Sequence, residues 1–307
     1  MPHEIAHQAL ASVAYGDEPA VFILADSDAA AERAGASVQR AGCRVSGTAP
    51  IQGAVDRLDR QVAMDAALVE IEADAGPELD RLLDHLERAA RAQRYASVVS
   101  TPAALIDAVA ARTPDRRVVQ LSGASEAERV AAIAFASVRQ PPRLQDIGRD
   151  QGPDKLQQLG EEVGRIASIL ASLSEEAVAG DAGEGSEAEG GVQISAGRIR
   201  AIIRARRHRE QYFNSAFFAD PAWDMLLDLM AARLERKRVA VSSLCIAAAV
   251  PPTTALRWIK TLSDHGLFVR HADPQDGRRV YIELSDKAAA AMEAYLKTAE
   301  RLSPVLI

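Results

Sequence analysis

The chain has 307 residues, of which 48% are hydrophobic and 26% charged, and it carries a net charge of -7. That length makes two domains the natural expectation, each able to bury its own core. No apolar run is long enough to span a bilayer and the N-terminus has neither a basic nor an apolar signal region, which argues against a membrane protein and predicts a cytoplasmic one.

The net charge conceals an asymmetry. Residues 198–307 hold 18 Lys and Arg against 12 Asp and Glu, a balance of +6, whereas residues 1–197 hold 18 against 31, a balance of -13. A basic unit attached to an acidic one fits a nucleic-acid module joined to a regulatory one. Cys43 and Cys245 fall in different units beside apolar residues, which predicts buried thiols rather than a disulfide. His3 and His7 share a helical spacing but stand near a terminus without further ligands, so neither a metal nor a cofactor is expected.

Residues 1–18 hold one short helical stretch and no recognisable chemistry. From Ala20 onward strand and helix alternate, with strands at 21–25, 44–47, 66–71, 96–100 and 117–121 and helices at 28–41, 51–61, 78–92, 102–111 and 125–138. Five such units predict an α/β domain over residues 1–145, a five-stranded parallel sheet of the flavodoxin kind with helices on both faces.

The strand count and the residues at the strand ends resemble the receiver domain of two-component response regulators. That resemblance implies an acidic pair after the first strand, approximated by Asp26 and Asp28, and a hydroxyl after the fourth, at Ser100 or Thr101. It also implies a phosphoryl-accepting Asp at the end of the third strand and a Lys at the end of the fifth. Glu70 stands where the acceptor belongs, and Gln120-Leu121-Ser122-Gly123 supplies no Lys. A Glu carboxylate is one methylene longer, and the missing cation no longer steadies a transferred phosphoryl group. The expectation is therefore a pseudo-receiver that takes a signal or a protein partner without being phosphorylated. Glu70 reads either as a fixed phosphate-like charge or as a solvated strand-end carboxylate, and the cluster Asp26, Asp28 and Glu70 either as a Mg²⁺ site or as solvated acids.

In the connector at 150–176, Leu156, Leu159, Val163, Ile166, Leu170 and Leu173 recur at alternating spacings of three and four. This is an a/d seam and predicts a dimerising coiled coil. The same spacing suits an amphipathic helix packed on its own α/β domain, and Gly160 and Gly164 each weaken the helix by about 1 kcal/mol relative to Ala. Residues 177–197 combine Gly180, Gly183, Gly185, Gly190 and Gly191 with Asp181, Glu184, Glu187 and Glu189. They read as a flexible acidic linker with an r.m.s. reach of roughly 25 Å, which lets the flanking units move relative to one another.

Residues 198–307 read as a second, α+β domain. Its first helix, from Arg198 towards Phe213, sets Ile199, Ile202 and Ile203 against six arginines, which either track phosphates or are simply solvated. A helix from Asp220 offers Trp223, Leu226, Leu227 and Met230 to a core. Ser242 is placed to cap a short helix reaching about Ala248, Val250-Pro251-Pro252 makes a turn, and a second helix over 253–265 stops at Gly266. Two short helices at a tight turn are a helix-turn-helix. On the second, Ala255, Trp258, Ile259 and Leu262 face the core, leaving Thr253, Thr254, Arg257 and Lys260 towards solvent. Thr can meet phosphate or thymine, Arg can take guanine bidentately and Lys can neutralise phosphate. Strands at 267–271 and 280–284 flank a turn carrying Arg278 and Arg279, a wing suited to an adjacent minor groove.

The run from Leu244 to Lys287, with Leu262, Gly266-Leu267, Arg270, Asp273-Pro274, Asp276-Gly277-Arg278-Arg279 and Leu284-Ser285, resembles the winged-helix signature of MarR-type transcriptional regulators. The resemblance extends over residues 198–306. It implies a wing tip structured by Asp276, Arg278 on DNA, and a homodimer built by the terminal helices, where Met292, Tyr295 and Leu296 are expected to meet Ile202 and Phe213. Pro251 and Leu256 depart from it, since the family often carries Ser or Thr at these positions.

These readings converge on a sequence-specific transcriptional regulator that binds double-stranded DNA as a homodimer, with the α/β domain as its input. An enzyme is not expected, because the chain has no Gly-rich phosphate loop, nucleophile elbow or metal-ligand set. The alternative is a signalling adaptor whose α/β domain binds a partner protein while the winged helix serves protein contacts.

Overall fold

The computed structural model describes residues 18–61, 64–138, 194–212 and 219–302. The expected seam from Leu156 to Leu173, most of the acidic linker, and Phe213 lie outside them.

The first unit alternates strand and helix: β1 (Ala20–Ala25), α1 (Asp28–Arg40), β2 (Arg44–Pro50), α2 (Ala54–Asp59), β3 (Ala66–Glu70), α3 (Pro77–Arg91), β4 (Ala96–Thr101), a 3-10 turn (Ala103–Leu105), α4 (Ile106–Arg112), β5 (Val118–Ser122) and α5 (Glu126–Ser137). All strand pairs are parallel and the order is β2-β1-β3-β4-β5, a doubly wound sheet with β2 and β5 at its edges. The two-residue period of the strands divides the core in two. Phe22, Leu24, Ala67, Val69 and Val99 pack with Leu79, Leu82, Leu83 and Leu86 of α3, while Val21, Ile23, Leu68 and Val98 pack with Ala34 and Val38 of α1 and Ile133 of α5. Both faces are thus buried, which is why β1 and β3 are continuous apolar runs rather than alternating ones.

Several boundaries differ from expectation. Strand β2 runs to Pro50, three residues beyond the predicted end, because as an edge strand it needs no apolar run; a register irregularity opposite Val21 and Phe22 bends it. Gly47 is required there, since a Cβ at that position would lie 2.6 Å from the Phe22 ring. Helix α2 is shorter than predicted, beginning after Gly53 at φ 70°, so Ile51 is buried ahead of the helix rather than in it. The helix predicted at 102–111 is the 3-10 turn followed by α4. Ser27 caps α1, and Ser125 and Glu128 form a reciprocal capping box at α5.

The second unit comprises α6 (Ala196–His208), a 3-10 turn (Arg209–Gln211), α7 (Pro221–Glu235), β6 (Val239–Ala240), α8 (Val241–Ala247), α9 (Pro252–Asp264), β7 (Phe268–Ala272), β8 (Val280–Leu284) and α10 (Asp286–Leu302). Its strands form an antiparallel sheet in the order β6-β8-β7. Helices α8 and α9 meet at a turn in which Ala249 takes φ 53° and Pro252 occupies the first turn of α9, and Gly266 at φ 69° follows its end. With the β7-β8 hairpin this is a winged helix-turn-helix. Ser195 caps α6, so Gly197, assigned to the linker by composition, lies inside that helix.

The two units share a buried core. Ile106 and Ala110 of α4 belong to the same apolar cluster as Leu244, Leu256, Ile259 and Phe268 of the winged unit. The expectation that each unit packs alone and moves freely on the linker is therefore corrected: across the described residues they are docked.

Candidate nucleic-acid interface

Helix α9 presents the predicted core residues inward, with Ala255, Trp258, Ile259 and Leu262 all buried. Only part of its opposite side faces open solvent as expected. The Thr253 hydroxyl accepts from the Ser122 backbone N–H at 3.1 Å and lies 3.3 Å from the Ser122 carbonyl oxygen. Lys260 Nζ donates to the carbonyl oxygen of Asp115 at 2.9 Å and to that of Val118. Leu256, between these two, is 4% exposed. Thr254 is half-buried and Arg257 is exposed. Burial, helped by the nearby Arg270 guanidinium, pushes the Lys260 ammonium down to about 7, although Glu87, Asp115 and Asp264 pull the other way.

Helix α8 docks in a related way. Ser242 was expected to cap it, but Ala240 holds the cap position without a side-chain bond. The Ser242 N–H and hydroxyl instead both donate to the Asp107 carboxylate of α4, at 2.9 and 2.6 Å. An acid at a helix start satisfies an orphan N–H and the positive end of the dipole, so the α/β unit supplies this cap in place of the local serine.

The wing is built by its own acids. Asp273 accepts from the Gln275 N–H at 2.9 Å and from the Tyr281 hydroxyl at 2.9 Å, and Asp276 accepts from the Arg278 N–H at 2.9 Å. The Arg278 side chain leaves the wing and grips the first unit: Nη1 and Nη2 lie 2.6 and 2.7 Å from the two oxygens of Asp74, and Nε lies 3.0 Å from Asp80. Such forked pairing is strongly directional. Arg279 remains exposed, 3.4 Å from Asp276. Arg270 of β7 also donates to the first unit, at the Ala110 carbonyl.

The basic helix α6 is less available than its composition suggested. Arg198 pairs with Glu300, Arg200 with Asp228 and Glu235, and Arg206 with Asp220 and Asp224. Arg207 donates to the Ala247 carbonyl at 2.7 Å. Arg204 is exposed. Ile202, Met292 and Leu296, expected at a dimer interface, are buried in the chain's own core, because α6 and α10 close over α7. Tyr295 is partly exposed and meets Trp223 edge-on, with centroids 4.9 Å apart.

The acidic strand ends of the sheet lie at the switch point between β1 and β3, where doubly wound sheets hold ligands. Asp26 accepts from the N–H groups of Glu72 and Ala73 at 2.6 and 2.8 Å, so it fixes the loop after β3. Asp28, in the first turn of α1, is exposed. Glu70 is 5% exposed, and Arg129 Nε of α5 lies 3.0 Å from its carboxylate. Burial raises the Glu70 pKa, while Arg129 and a hydrogen bond from Ser100 act against the rise. Glu70 is thus a buried, paired acid, neither solvated nor aimed at solvent as a phosphate mimic. Glu72 meanwhile takes the Ser27 hydroxyl at 2.7 Å and pairs with Arg33. Among the described residues no group of three or more His, Cys, Asp or Glu is arranged to hold a metal, and no helix is long and apolar enough to cross a membrane.

Sequence reasoning missed the surface that receives the winged unit: Ser122, Asp115 and Val118 against α9, Asp107 against α8, Ala110 against β7, and Asp74 and Asp80 against the wing. Leu256, on the side of α9 that also carries Thr253 and Lys260, packs into the shared cluster, but a single apolar residue on a helix does not by itself call for a cover.

No family model matches the chain, and no curated protein matches it. Among solved structures, it is similar to S. aureus MepR in a DNA-binding conformation, at 19% identity and a TM-score of 0.26 over 35% of this chain and 74% of that one. An S. aureus MepR-DNA complex is similar at 19% identity and a TM-score of 0.25, over 34% of this chain and 82% of the other. A probable transcriptional regulator from Pseudomonas aeruginosa is similar at 27% identity and a TM-score of 0.23, over 33% and 77% of the two chains.

Proposed function

We propose that this protein is a sequence-specific transcriptional regulator of the MarR-like winged-helix type that binds double-stranded DNA as a homodimer. It acts in the cytoplasm by binding rather than catalysis, and its α/β domain is a pseudo-receiver that takes a signal or a protein partner. The observation that carries the reading is the winged helix-turn-helix itself. Helix α9 bears Thr253, Thr254, Arg257 and Lys260 beside a wing whose tip is ordered by Asp273 and Asp276 and carries Arg278 and Arg279. Polar and basic groups on one helix and one hairpin suit a major groove and the flanking backbone or minor groove. For the pseudo-receiver, support comes from the strand order and from the buried Glu70 beside Arg129 in the place of an acceptor aspartate.

Selection of bound sequences from a random duplex pool by the full chain, with light scattering for mass, tests this directly. A recovered motif with two related half-sites and a dimer mass are expected; a pool that stays random after repeated selection removes sequence-specific binding. The adaptor reading has one observation in its favour, namely that α9 already engages a protein surface. A chain that captures a protein partner yet binds no DNA, even with α9 released, supports that alternative.

A further inference from the structure

We propose that the α/β domain is a built-in competitor for the DNA-reading face, so that the regulator engages DNA only after β5, α4 and the loop after β3 release the winged helix. The proposal rests on the DNA-binding reading above. Of the six side chains assigned to DNA, Thr253, Lys260 and Arg278 have polar groups committed to the α/β unit.

The surface they meet offers the chemistry of a nucleic-acid backbone. Lys260 finds two carbonyl oxygens, and Arg278 finds a carboxylate fork at Asp74 with a second acid at Asp80. Both arrangements supply the oxygen acceptors that a phosphate supplies to the same cations.

The shapes also match. Thr253, in the first turn of α9, meets Ser122 at the end of β5, whereas Lys260 meets Val118 at its beginning, so helix and strand run antiparallel. Between those anchors the helix advances about 10 Å at 1.5 Å per residue and the strand about 13 Å at 3.3 Å per residue, a difference that the long lysine stem spans. A strand laid along this side of α9 occupies the space that a groove wall needs. The same contact covers β5, whose position at the sheet edge leaves backbone groups open to pairing. Leu256, Ile106 and Ala110 make the contact partly apolar, which a DNA groove does not reproduce.

Closure of this kind lowers apparent DNA affinity by the fraction of molecules that are open. The acids of the lock, Asp74, Asp80 and Asp107, belong to the α/β unit and are not among the DNA-facing residues. Removing them therefore opens the molecule while every side chain assigned to DNA stays in place; the Asp74→Asn/Asp80→Asn pair also leaves the Asp107 cap of α8 intact.

The experiment compares the full-length chain with two variants, Asp74→Asn/Asp107→Asn and Asp74→Asn/Asp80→Asn. Binding to a random-sequence duplex at low salt is read by fluorescence anisotropy, and hydrogen exchange is followed at residues 118–122. Both variants should bind DNA about ten-fold or more tightly than the parent, and the Ser122 amide should lose protection. If exchange shows opening but affinity does not rise above a parent that already binds well, α9 is not occluded and the proposal fails while DNA binding stands. If opened variants and parent alike bind no duplex, the DNA-binding reading fails and takes the proposal with it. Protection at Ser122 that survives in both variants with no gain in affinity also overturns the assignment of the lock.

Discussion

The Asp107 carboxylate accepts from both the N–H and the hydroxyl of Ser242, 135 positions further along the chain. A helix start in one unit is thus capped by an acid from the other, and the cap forms only when the two are docked. Asp107→Ala is expected to cost about 0.5–2 kcal/mol, the range for loss of an N-cap. Thermal unfolding checks the size, and a double-mutant cycle with Ser242→Ala checks the cause. A coupling energy near zero means that the two side chains contribute independently.

Glu70 leads to a second expectation. Its carboxylate is buried, with Arg129 3.0 Å away, and the adjoining Glu72 is held by Ser27 and Arg33. Phosphoryl transfer needs an accessible nucleophile in line with the leaving group. Incubation with a small phosphodonor and Mg²⁺ should leave the chain unmodified on phosphate-affinity electrophoresis. An acid-labile shifted band that disappears in Glu70→Ala contradicts the pseudo-receiver reading.

Lys260 makes docking sensitive to pH. Its pKa in the docked form is pushed down to about 7 from the ordinary 10.5, chiefly by burial, with Arg270 adding to the shift and Glu87, Asp115 and Asp264 opposing it. Between those two values an undocked Lys260 holds a proton that the docked one lacks. The undocked state therefore binds more protons, and docking strengthens as pH rises from about 7 towards 10.5; below 7 both forms are charged and the dependence vanishes. Titration of the lysine ε-methylene signal by NMR should give a value near 7 in the parent chain and one closer to 10.5 in Asp74→Asn/Asp107→Asn. An ordinary value in the parent shows that the ammonium is not withdrawn from water.

What was legible in the sequence is what local patterning specifies. The apolar runs of β1 and β3 and the spacing of Leu79, Leu82, Leu83 and Leu86 on α3 identify a parallel sheet covered on both faces. The turn at Pro251 and Pro252 and the stop at Gly266 outline α9 nearly to the residue. Docking was not legible because its polar groups are ambiguous: a threonine and a lysine on a helix suit phosphate oxygens and strand carbonyls equally well. Glu70 was misread for a related reason, since its partner Arg129 comes from α5 and only the folded sheet brings the two together. The arginines of α6 likewise looked available until Asp224, Asp228 and Glu235 of α7 were placed beside them.

The last prediction separates base readout from backbone anchoring on the proposed DNA-binding face. Arg257 and Arg279 are exposed, whereas Thr253, Lys260 and Arg278 are engaged by the α/β unit, so these two arginines can be changed with little disturbance of docking. Arg257 lies one helical turn beyond Thr253, where a guanidinium can take guanine bidentately. Arg279 sits on the wing beside Asp276, where contacts with phosphate or with groove width are expected. Arg257→Ala should therefore cost about 1–3 kcal/mol on a selected site and relax preference at one or two base pairs. Arg279→Ala should weaken selected and random duplexes alike and reduce the salt slope by about one. Titrations across salt should be run in the Asp74→Asn/Asp107→Asn background so that closure does not mask either effect, with light scattering to confirm that the mass is unchanged. If Arg257→Ala lowers affinity for all sequences equally, the exposed side of α9 is anchoring phosphate, and base selection has to come from Thr253, Thr254 or Lys260 once they are freed from β5.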